Sequence, residues 1–176
     1  MDRSDRTPTS PASSREAAAG TPEPGVNTVG PFVTSVRVRY AETDAAGVVY
    51  YANYLAYMEV ARVEWLRALG CPVKEAEARG VHLPVVEARV RYLQPAQLDD
   101  LLEIRIALTD VKRASFSFDY EVRRGEDLIA RGYTRHAVVE RESLRPLAVP
   151  TWLRDLLGRA RRADEAELTG AAGTTT

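Results

Sequence analysis

The residues best suited to chemistry lie in one run, Tyr40 to Gly70, which reads Y-A-E-T-D-A-A-G-V-V-Y-Y-A-N-Y-L-A-Y-M-E-V-A-R-V-E-W-L-R-A-L-G. In this run one carboxylate, Asp44, and one glycine, Gly47, stand between an alternating segment and a long amphipathic segment. A loop between a strand and a helix can direct both a charged side chain and the unbonded N–H groups of the helix start at one substrate atom. We therefore expect chemistry on a carbonyl group.

Two regular elements must position these residues. A half-buried strand is predicted just before Asp44, because apolar and charged residues alternate there (Val36, Val38 and Tyr40 with Arg37 and Arg39). A helix is predicted over Asn53 to Leu69, because apolar side chains recur every three or four residues and Gly70 followed by Pro72 provides a stop signal. A short second helix is expected near 73–79.

Beyond the helices the hydrophobic period changes to two, which is typical of strands. Four such stretches are predicted at 86–92, 102–108, 116–122 and 129–139. The sequence R-R-G-E-D at 123–127 is a hairpin signal, and short turns between strands indicate an antiparallel sheet. A last helix is predicted near 151–161. This order predicts an α+β domain in which one long helix packs against a curled, five-stranded antiparallel sheet.

The folded domain is expected to occupy residues 32–160. Residues 1–31 contain five of the ten prolines and, beyond Met1, only two strongly apolar residues, Val26 and Val29. Such a segment buries too little apolar surface to offset its ordering entropy, so we predict that it is disordered. The end of the chain, 161–176, is predicted to be a disordered tail for the same reason.

Composition and motifs exclude several classes of function. The formal net charge is −1, so no general attraction to nucleic acid or to an anionic membrane is expected. No stretch approaches the roughly 20 apolar residues that span a bilayer, and no apolar signal region is visible, so we expect a cytoplasmic protein. The single cysteine, Cys71, cannot form an internal disulfide or a thiolate-rich metal site. The sequence has no serine nucleophile elbow, phosphate loop or Cys/His metal spacing, so we expect neither a cofactor nor a metal.

A resemblance to hotdog-fold acyl-CoA thioesterases, of the 4-hydroxybenzoyl-CoA thioesterase and YbgC-like type, is carried by E-T-D-A-A-G-V-V-Y-Y-A-N-Y-L followed by M-E-V-A-R-V-E-W-L-R. The later pieces R-V-R-Y-L-Q-P-A, F-S-F-D-Y-E-V and P-L-A-V-P-T-W-L follow in the family's order. The resemblance covers residues 34–157. It implies a hotdog fold, with the sheet curled around one central helix, and hydrolysis of a thioester.

The resemblance also implies roles for individual residues. Asp44 aligns with the carboxylate that acts as nucleophile or general base, Tyr51 with the helix-start residue whose backbone N–H polarises the thioester carbonyl, and Gly47 with the glycine of the loop between them. Four more positions match the family's helix pattern and are implied substrate-binding residues: Asn53, Tyr54, Arg62 and Glu64. The YbgC-like branch often has His where this chain has Tyr51, whereas the 4-hydroxybenzoyl branch has Tyr, so the branch and the acyl group stay open.

Thioester hydrolysis needs one group that delivers oxygen to the carbonyl carbon and another that holds the charge developing on the carbonyl oxygen. A carboxylate can attack directly or take a proton from water, and helix N–H groups can hold the charge. The CoA thiolate leaves readily, so a site without histidine, cysteine or metal suffices. The residues alone also allow a structural interpretation: Asp44 as a turn or cap residue, Tyr54 in the core, and Arg62 and Glu64 in helix-surface ion pairs.

Three functions therefore fit the sequence: an acyl-CoA thioesterase, an acyl-carrier-protein thioesterase that releases a polyketide or fatty acyl chain, and a non-catalytic acyl-binding subunit. The basic pairs Lys112–Arg113 and Arg123–Arg124 are either contacts for CoA phosphates or solubilising charges on hairpin turns. A single domain of this kind leaves a sheet edge open, and such edges are usually covered. The resemblance implies a homodimer with joined sheets, often paired into a homotetramer, with the site at the dimer interface.

Overall fold

The computed structural model describes residues 32–171, with side chains described through residue 162. The N-terminal segment predicted to be disordered, 1–31, lies outside the described residues, as does the end of the predicted tail, 172–176. No helix within the described part of the chain is long and apolar enough to cross a membrane.

Seven strands and three α-helices follow one another along the described chain. They are β1 (Phe32–Arg37), α1 (Asn53–Ala68), α2 (Val73–Ala78), β2 (Val81–His82), β3 (Val85–Tyr92), β4 (Leu101–Val111), β5 (Ser115–Arg124), β6 (Asp127–Ala137), β7 (Val139–Glu140) and α3 (Thr151–Ala171). A single 3-10 turn, Tyr40–Glu42, lies between β1 and α1.

The main sheet has five strands in the order β1-β4-β5-β6-β3, and every neighbouring pair is antiparallel. The strands β4, β5 and β6 are joined by short turns, whereas β1 and β3 form the two edges. A small separate ladder pairs β2 with β7. The predicted α+β architecture, with one principal helix and a five-stranded antiparallel sheet, is confirmed.

The helix α1 packs closely on this sheet. Its buried residues form one apolar face, as the recurrence of apolar side chains every three or four residues predicts: Tyr54, Tyr57, Met58, Ala61, Trp65 and Leu66. A close approach occurs at Gly132 of β6, where an added Cβ would lie 2.1 Å from the Met58 Cε. Glycine therefore lets the helix side chain reach the backbone of the sheet. A side chain at position 132 would therefore push Met58, and α1 with it, away from β6.

Three elements differ from the sequence predictions. The first strand ends at Arg37 and does not reach Tyr40, whose side chain is 82% exposed. The reason is local hydrogen bonding: the Arg39 N–H donates to the Glu42 carboxylate over 2.8 Å, and the Glu42 N–H donates to the Arg39 carbonyl over 3.0 Å. These bonds favour a turn over continued strand pairing.

The other two differences concern β3 and α3. The predicted alternation of β3 does not give a buried face, because Val86 and Tyr92 are 57% and 47% exposed on this edge strand. The helix α3 runs to Ala171 rather than ending near Arg161 and so includes most of the segment predicted as a tail. The residues from 161 onward, R-R-A-D-E-A-E-L, are mostly strong helix formers, which explains the extension.

Candidate active site

The loop that carries Asp44 is a tight turn. The Gly47 N–H donates to the Asp44 carbonyl and the Asp44 N–H donates to the Val48 carbonyl, both over 2.9 Å. Gly47 has a φ of +76°, a left-handed conformation that side chains other than glycine rarely adopt. The Asp44 Oδ1 accepts the Ala46 N–H over 2.8 Å, and no donor among the described residues reaches its other oxygen. The turn thus holds an exposed carboxylate by one oxygen and leaves the other available.

The start of α1 lies beside this turn and has no side-chain cap. Ala52 occupies the N-cap position, and the first turn of the helix contains no acidic residue. The helix start is held instead through Asn53, whose amide Nδ2 donates to the Glu42 carbonyl over 2.7 Å. The Tyr50 N–H donates to the same oxygen over 2.8 Å. Uncapped N–H groups carry the positive end of the helix dipole, so this end of α1 suits an oxygen that gains negative charge.

Glu42 links the Asp44 turn to the body of α1. Its buried carboxylate accepts bonds from the Arg39 Nε over 2.9 Å, the Arg39 Nη2 over 2.6 Å and the Tyr57 hydroxyl over 3.0 Å. Burial opposes ionisation of Glu42, but the bonds from Arg39 and Tyr57 outweigh it and hold the pKa below its usual value. Burial, followed by the bond to Glu42, raises the pKa of Tyr57. From the sequence, Glu42 is expected to face solvent or to pair locally, and the i,i+3 spacing of Arg39 and Glu42 is the signal for the observed pair.

A cavity of about 360 Å³ opens between the Asp44 turn, the start of α1 and the end of β3. It brings together three of the predicted site residues, Asp44, Tyr51 and Tyr54. The remaining lining residues are mainly apolar and come from two other segments: Val48, Val49, Tyr92, Leu93, Gln94 and Pro95. The cavity therefore combines one carboxylate, a helix N-terminus and an aromatic wall.

The aromatic wall is built from two parts of the chain. Tyr54 is buried, and its ring centroid lies 5.2 Å from that of Tyr92 in an edge-to-face arrangement. The Tyr92 hydroxyl donates to the Tyr51 carbonyl oxygen over 2.9 Å. Both Tyr92 and Gln94 lie in the family-like piece R-V-R-Y-L-Q-P-A, but the sequence predicts no site role for either of them. The segment that contains them is held beside the helix start by the pairing of β3 with β6 and by the bond from the Val49 N–H to the Ala96 carbonyl over 2.8 Å.

Two predicted residues, Arg62 and Glu64, do not line this cavity. They lie about 13–17 Å farther along α1 than Asn53, at the usual rise of about 1.5 Å per residue. Arg62 borders a second cavity of about 230 Å³ formed with α2 and the segment 81–84. Glu64 forms an ion pair with Arg67, the i,i+3 arrangement that the helix pattern allows.

The two candidate basic pairs lie at opposite ends of β5. Lys112 is in the β4–β5 turn and pairs with Asp110 over 3.3 Å. Arg124 is at the other end, where its Nη1 donates to Asp100 over 2.8 Å and lies 3.5 Å from the Pro95 carbonyl. Because Pro95 lines the Asp44 cavity, only the Arg123–Arg124 pair is near it.

Other reactive side chains in the described part of the chain are poorly placed for catalysis. Cys71 is buried, and burial raises the pKa of its thiol. His136 is also buried; desolvation, followed by the charge of Arg62, lowers its pKa to about 4. No group of three or more His, Cys, Asp or Glu side chains within the described residues is arranged to hold a metal ion.

A five-stranded antiparallel sheet with one long helix on it, and an aspartate turn beside the start of that helix, define the class of hotdog-fold proteins. The sequence profile of the thioesterase-like superfamily matches residues 28–157. The chain therefore belongs to the thioesterase-like superfamily, as the sequence resemblance implied.

Individual relatives agree with this assignment. The chain is 34% identical over 120 residues to the acyl-CoA thioesterase YbgC of Haemophilus influenzae, covering 68% of this chain and 88% of that protein. The crystal structure of a hypothetical protein from Thermus thermophilus, TT1821, is similar with a TM-score of 0.71 and 38% identity, over 74% of this chain and 99% of that one. Slr0204, a 1,4-dihydroxy-2-naphthoyl-CoA thioesterase from Synechocystis, has a TM-score of 0.67 and 27% identity, over 72% and 95% of the two chains.

Proposed function

We propose that this protein is an acyl-CoA thioesterase that hydrolyses a thioester to a free acid and CoA. The observation that carries the proposal is the cavity in which the Asp44 carboxylate and the uncapped start of α1 face the same space. The membership of the chain in the thioesterase-like superfamily supports it. A cytoplasmic location is part of the same proposal and is tested by cell fractionation.

Asp44 is the group that delivers oxygen. In one route its carboxylate attacks the thioester carbon, the C–S bond breaks, and the mixed anhydride formed is then hydrolysed by water. In the other route the carboxylate takes a proton from water, and the hydroxide adds to the carbon before the thiolate leaves. Both routes consume one water and yield one carboxylic acid and one thiol. The free oxygen of Asp44 serves either route, and the geometry of the turn favours neither.

The helix start is the proposed oxyanion site. The Tyr51 N–H is assigned to the thioester carbonyl oxygen, with Gly47 allowing the turn that places Asp44 next to it. Removing one such donor typically costs about 2.7–4 kcal/mol of transition-state stabilisation. Asn53 supports the site through its bond to Glu42, and Tyr54 supplies apolar wall to the substrate.

A homodimer is proposed because the edge next to the cavity is open. β3 pairs only with β6 in the described sheet, and it exposes Val85, Val86 and Tyr92. Tyr50, Tyr51 and Leu55 are exposed close to the cavity. Apolar residues on an unpaired edge mark a surface that a second copy would cover. A homotetramer would then arise by pairing two dimers; a stable, active monomer in sedimentation would refute both states.

The proposed dimer also decides whether Arg62 and Glu64 can take part in substrate binding. Their assignment to substrate binding rests on the sequence pattern, and within one protomer they lie away from Asp44. A role in binding therefore requires that a second copy bring them beside the neighbouring cavity. Replacement of Arg62 that leaves KM unchanged would remove it from the site.

The substrate class is tested with a panel of benzoyl-, hydroxynaphthoyl- and straight-chain acyl-CoA esters. The aromatic wall of Tyr54 and Tyr92 favours an aryl group, and we expect the aryl esters to give the highest kcat/KM. We expect Asp44→Ala to abolish turnover on the best ester. Hydrolysis of acyl-carrier-protein thioesters with little turnover of CoA esters would favour the carrier-protein function, and no turnover of either would favour a non-catalytic acyl-binding subunit.

A further inference from the structure

One tertiary contact joins the edge strand β3 to the start of α1. Tyr92, the last residue of β3, donates from its hydroxyl to the Tyr51 carbonyl oxygen over 2.9 Å. The two residues are 41 positions apart in the sequence, so this bond depends on how the sheet edge is seated against the helix. Both residues line the cavity that contains Asp44.

The Tyr51 carbonyl is available because of the way α1 begins. In a regular α-helix the carbonyl of Tyr51 would accept the N–H of Leu55, four residues later. Here the Leu55 N–H donates to the Ala52 carbonyl over 3.1 Å, which is a tighter first turn. The Tyr51 oxygen is therefore left for a partner from outside the helix, and Tyr92 is that partner.

Tyr92 is itself held in place by its ring. Its centroid lies 5.2 Å from that of Tyr54 with an interplanar angle of 70°, and Tyr54 is anchored in the core. Such edge-to-face pairs restrict ring orientation as well as burying area. Partial burial raises the pKa of Tyr92, so the hydroxyl stays protonated and remains a donor at neutral pH.

We propose that Tyr92 is a positioning residue for thioester hydrolysis, because its hydroxyl fixes the first peptide units of α1. The peptide bond is planar, so holding the Tyr51 carbonyl also sets the direction of the Ala52 N–H in the same unit. A hydrogen bond to a peptide oxygen further polarises that N–H. The neighbouring Tyr51 N–H shares the Tyr51 Cα and is restrained with it. This inference rests on the proposed function, in which the Tyr51 N–H holds the thioester oxygen, and it adds the Ala52 N–H as a second donor at the helix start.

The test compares Tyr92→Phe with Tyr133→Phe, each of which removes one hydroxyl and keeps the ring. The Tyr133 hydroxyl bonds to Ser117 and Arg135 on the sheet, away from the Asp44 cavity. Steady-state kinetics on the best acyl-CoA ester would be measured with Asp44→Asn alongside. We expect Tyr92→Phe to lower kcat about 2- to 10-fold, as the loss of one hydrogen bond predicts, with KM and thermal midpoint near wild type. Tyr133→Phe should keep the wild-type kcat.

A second measurement does not depend on turnover. In amide NMR spectra of the full chain, the Ala52 N–H proton should shift in Tyr92→Phe and stay in place in Tyr133→Phe. A wild-type kcat for Tyr92→Phe, or a change confined to KM, overturns the positioning role. If Asp44→Asn is inactive in that case, the proposed function survives and only this inference fails. If Asp44→Asn is fully active, or wild type hydrolyses no acyl-CoA, the proposed function fails and takes the inference with it.

Discussion

Replacing Glu42 by glutamine would weaken the link between the Asp44 turn and α1 without changing the size of the side chain. Glu42 Oε2 accepts from the Arg39 N–H and the Tyr57 hydroxyl, and Glu42 Oε1 accepts from the Arg39 guanidinium. A glutamine oxygen at the Oε2 position keeps the first two bonds, and the NH₂ group then faces the guanidinium, which loses its acceptor. A hydrogen bond to a charged group typically contributes about 1.5–3 kcal/mol.

The exposure of Arg39 reduces this loss. The Arg39 side chain is 77% exposed, so water screens its ion pair with Glu42 and weakens it. The Tyr57 hydroxyl and the Arg39 N–H keep their acceptor, so only the guanidinium bonds are lost. We therefore expect Glu42→Gln to lower the free energy of unfolding by about 1 kcal/mol at neutral pH.

The same substitution has a pH signature with a definite sign. The pKa of Glu42 is held below its ordinary value of 4.5, so the native state favours the ionised form. Stability from this group is fully present above 4.5 and is lost as the pH falls through the lower folded-state pKa. The difference between wild type and Glu42→Gln should therefore be constant at neutral pH and should shrink below 4.5.

Urea unfolding of both proteins across this pH range is the assay. Glu64→Gln is the matched control, because Glu64 pairs with Arg67 at the same i,i+3 spacing but on the exposed face of α1. We expect the control to change stability by less than about 0.5 kcal/mol. Equal losses for the two variants, or a Glu42→Gln loss that does not change with pH, would refute the proposed network.

Two further predictions concern the packing of the sheet. Gly132→Ala would place a Cβ 2.1 Å from Met58 Cε and 2.5 Å from its Sδ, so thermal unfolding should show a loss of about 1–3 kcal/mol in the free energy of unfolding. The control Gly158→Ala, whose nearest contact is 3.6 Å away, should be neutral or stabilising. Equal effects of the two substitutions would contradict the close approach of α1. Desolvation and the charge of Arg62 lower the pKa of His136 from 6.5 to about 4, so the unfolded state binds the proton more tightly than the folded state does. Urea unfolding should therefore show that the free energy of unfolding decreases by up to about 3 kcal/mol as the pH falls from 6.5 toward 4. His136→Gln should flatten this slope and His82→Gln should not, whereas an unchanged slope in His136→Gln would exclude His136 as its source.

The fold could be predicted from the sequence because its signals are local. The helix α1 was expected over Asn53 to Leu69 and runs from Asn53 to Ala68, since a long periodic apolar face and a Gly stop signal act within the segment itself. Burial on β3 could not be predicted in this way. Alternation tells which residues share a face, but the exposure of Val86 and Tyr92 depends on the strand being at the sheet edge.

The candidate site was predictable only where one segment builds it. Asp44, Gly47, Tyr51 and Tyr54 lie within a few residues of one another, and the sequence run identified them together. Tyr92 and Glu42 were missed, because their contacts arise from strand pairing and from a local turn that replaces the end of β1. Arg62 and Glu64 are the opposite case, residues that the sequence predicts for the site but that the fold does not bring to Asp44. A sequence pattern selected them, yet the length of α1 carries them away from Asp44 within one protomer.

The central claim is that Asp44 delivers oxygen to a thioester carbonyl at the start of α1. Its most direct test is the single-turnover rate of Asp44→Asn on the best acyl-CoA ester, with Asp155→Asn on the exposed face of α3 as the matched control. We predict that Asp44→Asn falls by about 10²–10⁴-fold, the usual loss of a general base or nucleophile, while Asp155→Asn keeps the wild-type rate. A rate for Asp44→Asn within a few-fold of wild type would contradict the claim.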